Sequence, residues 1–250
     1  MGSPNRFRSG VSSLDRRHPL SAYGDLVPMS YVTYWEDFLT YRPLDWVITD
    51  TGAATRVLSA TDPGGVLVIT NTATDTNAAE MQLNRTTSGT TPSLPFWMVA
   101  GKKFFYEARF KLVDGSGTPG TAQTVFTVGL ANTDASLTAT PPTQGLVFRT
   151  TDGSTLVTAR VTGGTATYAP TAGATLLPSV FNKFSIYYNG RVSRNSLDPA
   201  VFFYQNNVLI GSTISQNLPS AGLTPSVGIR NGQDAATVMS LDYIFAAQER

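Results

Sequence analysis

The stretch Lys102–Val113 constrains the fold more than any other. From Phe104 the chain alternates, with Phe104, Tyr106, Ala108, Phe110 and Leu112 on one face and Phe105, Glu107, Arg109 and Lys111 on the other. A period of two with one apolar face marks a strand that meets a core on one side, and aromatic residues suit that pleated surface. Its length makes it a central strand. Similar runs follow at Thr124–Leu130, Leu146–Arg149, Leu156–Val161, Phe181–Tyr188, Val201–Tyr204, Val208–Ile210, Thr224–Arg230 and Val238–Phe245, the last with Met239, Leu241, Tyr243 and Phe245 aligned. Before it, Tyr34–Phe38, Asp45–Thr49 and Val66–Thr70 read as strands, the third without alternation, as a strand covered on both faces would be. Ala79, Met81 and Leu83 alternate as a further strand, with a short helix over Ala78–Leu83 as the competing reading.

Turn chemistry separates these runs. Asp62-Pro63-Gly64-Gly65, Asp152-Gly153 and Gln205-Asn206-Asn207 are reversal signals, because Asn, Asp and Gly accept positive φ. About a dozen strands with turns every 8–15 residues predict an all-β, antiparallel two-sheet jelly-roll sandwich. Charged residues make up only 14% of the chain, against about 25% in a typical globular domain, which suits strands and turns better than surface helices. A chain of this length is compatible with one such domain. Residues 1–34 are read separately as an extended N-terminal arm, and residues 35–250 as the sandwich. The arm is rich in Gly, Ser, Pro and Arg, and its spaced apolar residues have no period.

Composition removes several function classes. There are no cysteines, so disulfides and thiolate chemistry are excluded, and the single histidine, His18, excludes multi-histidine metal sites. A net charge of +1 gives no reason to expect a nucleic-acid partner. No apolar run has the length of a membrane span or of a signal peptide. The product is expected to be soluble and made in a cytoplasm. The four glutamates, Glu36, Glu80, Glu107 and Glu249, have no carboxylate two or four positions away on their own strand, whereas retaining glycosidases need two carboxyls about 5 Å apart. The Glu-x-Asp-x-x-Glu pattern of laminarinase-like sandwich enzymes is missing, as is a Gly-x-Ser-x-Gly elbow, so the chain is read as no enzyme. No cofactor is expected. Calcium is the best candidate metal, through Asp75, Asn132, Asp134 and Asp152 in loops. Trp35, Trp46 and Trp97 are assigned to the core or its margin, and Trp97 and Tyr168 would be the stacking platform of a sugar site.

The segments Gly10–Leu14, His18–Leu20, Tyr23-Gly24, Tyr34–Phe38, Asp45-Trp46, Gly65–Leu67, Gly101–Lys103, Glu107–Lys111, Gly228–Gly232 and Met239–Arg250 resemble structural proteins of tailed-phage virions. The resemblance implies a concanavalin A/laminin G-like jelly roll acting as a capsid decoration, or cement, protein on the outer capsid surface. Its partner would be the major capsid protein, and it would self-associate as a trimer or alternatively a dimer. In that setting Arg6, Arg8, Leu14, Arg16, Arg17, Leu20 and Tyr23 are the expected arm contacts, because arginine forks bind carboxylates bidentately. The alternative is a glycan-binding fibre or adhesion module of the virion.

Overall fold

The computed structural model describes residues 30–84, 93–114, 124–152, 154–163, 166–168, 174–177, 179–191, 200–214 and 218–250. The expected arm contacts from Arg6 to Tyr23 lie outside them. The strands are β1 (Tyr31–Glu36), β2 (Trp46–Thr51), β3 (Ala54–Leu58), β4 (Leu67–Asn71), β5 (Ala78–Leu83), β6 (Phe104–Asp114), β7 (Thr124–Ala131), β8 (Gln144–Arg149), β9 (Leu156–Gly163), β10 (Ala166–Tyr168), β11 (Ala174–Thr175), β12 (Asn182–Tyr188), β13 (Val201–Gln205), β14 (Val208–Thr213), β15 (Thr224–Asn231) and β16 (Thr237–Glu249). The first sheet runs β14-β13-β12-β6-β16-β4-β3, with β1 also on β16. The second runs β10-β9-β8-β7-β15-β5-β2, with β11 on β9. Every pairing in both sheets is antiparallel.

Between the sheets, the alternate residues of each strand meet as the alternation predicts. From β6, Phe104, Tyr106, Ala108, Phe110 and Leu112 all enter one buried cluster with Phe126, Val128, Phe148, Phe184, Ile186, Phe203, Val227 and Met239. The rings interlock across the gap, where Phe110 meets Phe126 at 5.1 Å and Phe148 meets Phe184 at 4.9 Å, while Phe110 stacks on Phe184 within the first sheet at 5.5 Å. Such tilted and edge contacts add about 0.5–1.5 kcal/mol per pair beyond area burial.

Several expectations need correcting. β1 begins at Tyr31 and pairs with β16 from Glu249 to Ile244, so residues 31–34 belong to the sandwich and not to the arm. Phe38 is no strand residue; its φ is +51° and its ring stacks on Trp46. β4 alternates between buried and half-buried residues, so Val68 and Thr70 lack the second cover that an unbroken apolar run suggested. β3 escapes the sequence because Ala54–Leu58 is an edge strand with little burial. β5 is a strand and not a helix; all six of its residues are buried, because a loop described below covers its outer side. The Asn206-Asn207 reversal has both φ values positive, 49° and 68°, as the two-residue hairpin requires.

The largest correction lies in β16. Its register on β6 slips between Leu241 and Tyr243. Met239 and Leu241 face the core, and after the bulge Ile244 and Ala246 do so. Tyr243 and Phe245, expected inside with Met239 and Leu241, are turned to the outer face.

Candidate functional site

The bulge gives the first sheet an aromatic outer side. Direct register partners run Trp35–Phe245–Glu107–Ser185–Tyr204–Leu209 across β1, β16, β6, β12, β13 and β14. The adjacent row is Thr33–Ala247–Phe105–Tyr187–Phe202–Ser212. On the other side, Tyr243 pairs with Arg109 and Arg109 with Lys183. Consecutive residues of a strand point to opposite faces, so Phe104-Phe105-Tyr106 and Phe202-Phe203-Tyr204 supply rings to both.

Trp35 is 56% exposed. It stacks on Tyr243 at 5.3 Å and 17° and leans on Phe245 at 5.6 Å. Phe105 and Phe245 pack with Tyr31 and Ala247 in a small buried cluster beneath it, with Tyr187 alongside, and Tyr187 stacks on Phe202 at 6.0 Å. The platform is therefore held from below.

Polar groups are set into the same face. Glu107 is buried, and its carboxylate accepts hydrogen bonds from Tyr243 Oη at 2.7 Å and Ser185 Oγ at 2.8 Å, with Lys183 Nζ 3.9 Å away. Burial, the Glu107 charge and the hydrogen bond to it push the Tyr243 phenol up from its ordinary pKa, so it stays a donor. Asp242 pairs with Arg109, whose guanidinium lies 4.4 Å from the centre of the Phe181 ring. Two carboxylates thus share one face on adjacent strands, a juxtaposition invisible to a search along single strands. Both are engaged: Glu107 by two hydroxyls, Asp242 by a guanidinium.

The other expected site residues separate. Trp46 is buried as expected, but Trp35 and Trp97 are both about half exposed, and Trp97 lies against Gly222 with its backbone amide donating to Gln248 of β16. The side chain of Tyr168 falls outside the described ones. Of the calcium candidates, Asp134 Oδ1 accepts from Ser136 N and Asn132 Oδ1 from Gln144 N, both serving the backbone, while Asp75 N donates to Asp234. Among the described residues no three His, Cys, Asp or Glu side chains gather as a metal site.

Comparison with known folds follows this geometry. The carbohydrate recognition domain of Emp47p superposes with a TM-score of 0.55 at 14% identity, covering 88% of this chain and 97% of that one. An endo-β-1,4-glucuronan lyase from the fungus Trichoderma reesei gives 0.53 at 11%, covering 86% and 94%. A lichenase from a mouse hindgut metagenome gives 0.51 at 13%, covering 86% and 98%. The fold is a concanavalin A-like jelly roll. At these identities the likeness concerns the fold alone, and these neighbours include both a recognition domain and enzymes. No protein-family model matches the chain, and no curated protein matches it in sequence.

Proposed function

We propose that this chain is a non-catalytic, saccharide-binding sandwich whose combining surface is the outer face of the first sheet. The observation that carries the reading is Trp35: an exposed indole, stacked on Tyr243, at the head of a row that continues through Glu107 and Ser185 to Tyr204. A sugar ring offers an apolar C–H face and a rim of hydroxyls. It is met by a flat aromatic surface beside fixed donors and acceptors, and Trp35 with Arg109, Lys183 and Tyr204 supplies both. The glycan-recognition domain among the fold neighbours supports the same class.

The carboxylates support a binding role over catalysis. A glycosidase needs one carboxyl free to give a proton and another free to attack or to activate water. Glu107 has both oxygens in hydrogen bonds and Asp242 is held by Arg109. The decisive experiment is a glycan array with the full chain and with Trp35→Ala, alongside a depolymerisation assay on lichenan. Saturable binding that falls at least tenfold in Trp35→Ala, with no new reducing ends, supports the reading. Undiminished binding by Trp35→Ala, or steady release of reducing sugar, defeats it.

A second reading is capsid decoration, supported by the sequence resemblance to tailed-phage structural proteins. One placement bears on it: β1 starts at the rim of the aromatic face, where Arg250 N donates to Ser30 O at 2.9 Å, and residues 1–29 join the body there. The major capsid protein would be the partner, with trimers or dimers of this chain on the shell. Removing residues 1–29 and measuring co-sedimentation with capsids tests it; unchanged binding removes the arm from the mechanism.

A further inference from the structure

The outer face of the second sheet is built differently. Loop 132–143 lies flat on it and is fastened by two buried ions. Glu80 accepts from Leu137 N at 2.8 Å, Thr138 N at 2.7 Å and Thr138 Oγ1 at 2.5 Å. Arg149 donates to the carbonyl oxygens of Leu137, Thr138 and Ala139 at 3.2, 2.5 and 3.3 Å. The close approach depends on Gly228: a Cβ there would stand 2.8 Å from the Thr138 methyl.

Beside the fastened loop lies a pocket of about 190 Å³, lined by Thr51, Thr76, Glu80, Ser136, Thr138 and Arg230 among others. Its charged lining side chains are Glu80 and Arg230. The Glu80 carboxylate is consumed by the loop. Arg230 has no ion pair or hydrogen-bonded carboxylate among the described residues. Arg149 is buried, lies outside the pocket wall, and has the charges of Glu80 and Asp134 acting on it. A pocket whose one guanidinium has no carboxylate partner among the described residues, with hydroxyls beside it and a loop edge at its lip, selects an oxyanion.

We propose that this pocket binds a small oxyanion, the carboxylate of an acidic sugar or a phosphate, with Arg230 as the anchoring cation and the hydroxyls of Ser136 and Thr76 on its flank. The volume admits a single sugar ring and not a chain. The site is separate from the Trp35 surface, on the other side of the sandwich, and stands or falls independently of it.

The test is calorimetric titration of the full chain with glucuronate, glucose and inorganic phosphate at constant ionic strength, repeated with Arg230→Gln. Arg230 is half-buried and glutamine keeps most of its length, so the substitution should preserve the fold, and an unchanged Tm verifies this. Saturable binding of glucuronate but not glucose, lost tenfold or more in Arg230→Gln, supports an acidic-sugar site. Phosphate binding alone with the same Arg230 dependence assigns the pocket to free phosphate. Absence of binding by both anions, or equal binding by wild type and Arg230→Gln, overturns the proposal. Inorganic phosphate has no C–H face to stack on Trp35, so its titration separates this pocket from that surface.

Discussion

Tyr106 and Tyr243 stand on neighbouring strands and face opposite ways. Tyr106 points into the core, where its hydroxyl finds no acceptor among the described residues. Tyr243 points outward and donates to Glu107. The same substitution should therefore act oppositely. Tyr106→Phe removes an unsatisfied buried hydroxyl and should be neutral or stabilising by up to about 1 kcal/mol, whereas Tyr243→Phe strips a donor from a buried carboxylate and should cost about 1–3 kcal/mol. Urea unfolding of both variants at neutral pH checks the signs. Burial raises both phenols above their ordinary value. The folded state thus keeps protons that the unfolded chain releases near pH 10. The stabilisation is complete below about pH 10 and is lost as pH rises from there toward the folded-state values. Urea midpoints should fall as pH rises above about 10, and less steeply in the Tyr106→Phe/Tyr243→Phe double variant; equal slopes would contradict the assignment.

At the scale of elements, two local devices set the outer faces. One is the bulge in β16. An extra residue opposite β6 reverses the side-chain alternation beyond it, which carries Tyr243 and Phe245 out of the core and leaves Ile244 and Ala246 to fill it. The other is loop 132–143, which covers β5 from outside. Glu80 is the pin. Glu80→Ala would leave the Leu137 and Thr138 amides and the Arg149 charge uncompensated, at a cost on the order of 3 kcal/mol. Amide hydrogen exchange should show it, with protection lost at Leu137 and Thr138 while the β6 amides keep theirs. Gly129, on β7 within the same face, tolerates no side chain. Its φ is +155°, and a Cβ would sit 2.2 Å from Leu146 O. Gly129→Ala should lower the urea midpoint sharply, by more than the Glu80 variant, because backbone and not a flexible side chain stands in the way.

For the whole molecule, the aromatic contacts tie the sheets into one unit. Phe184 belongs to the first sheet and touches Phe126 and Phe148 of the second. Phe184→Ala should cost about 3–5 kcal/mol, and tryptophan fluorescence and far-ultraviolet dichroism should still report a single coincident transition. Trp35→Ala, in contrast, removes an exposed ring and should shift Tm by no more than a surface change does. The two outer faces differ in kind: the first is aromatic with its carboxylates engaged, the second polar, with Glu80 and Arg149 spent on the loop and Arg230 beside it. One sandwich thus presents two chemically unlike surfaces, separated by the thickness of the core.

The alternation of Phe104–Leu112 and of the runs after it was enough to determine the fold class, the central strand and most of the core, because a period of two decides which side chains can share a face. The Asn206-Asn207 reversal was legible for a similar local reason: few other residue pairs accept two positive φ values in succession. The candidate surface was legible only in outline, as neighbouring aromatics in Phe104-Phe105-Tyr106, Tyr187-Tyr188 and Phe202-Phe203-Tyr204, which must dress both faces of a strand. Its assembly was decided by tertiary structure alone. A bulge is a mismatch between two strands and has no signature in either one. The meeting of Glu107 with Tyr243, and of Glu80 with Thr138, depends on pairing register and on a folded-over loop that bring residues 136 and 58 positions apart within hydrogen-bond reach.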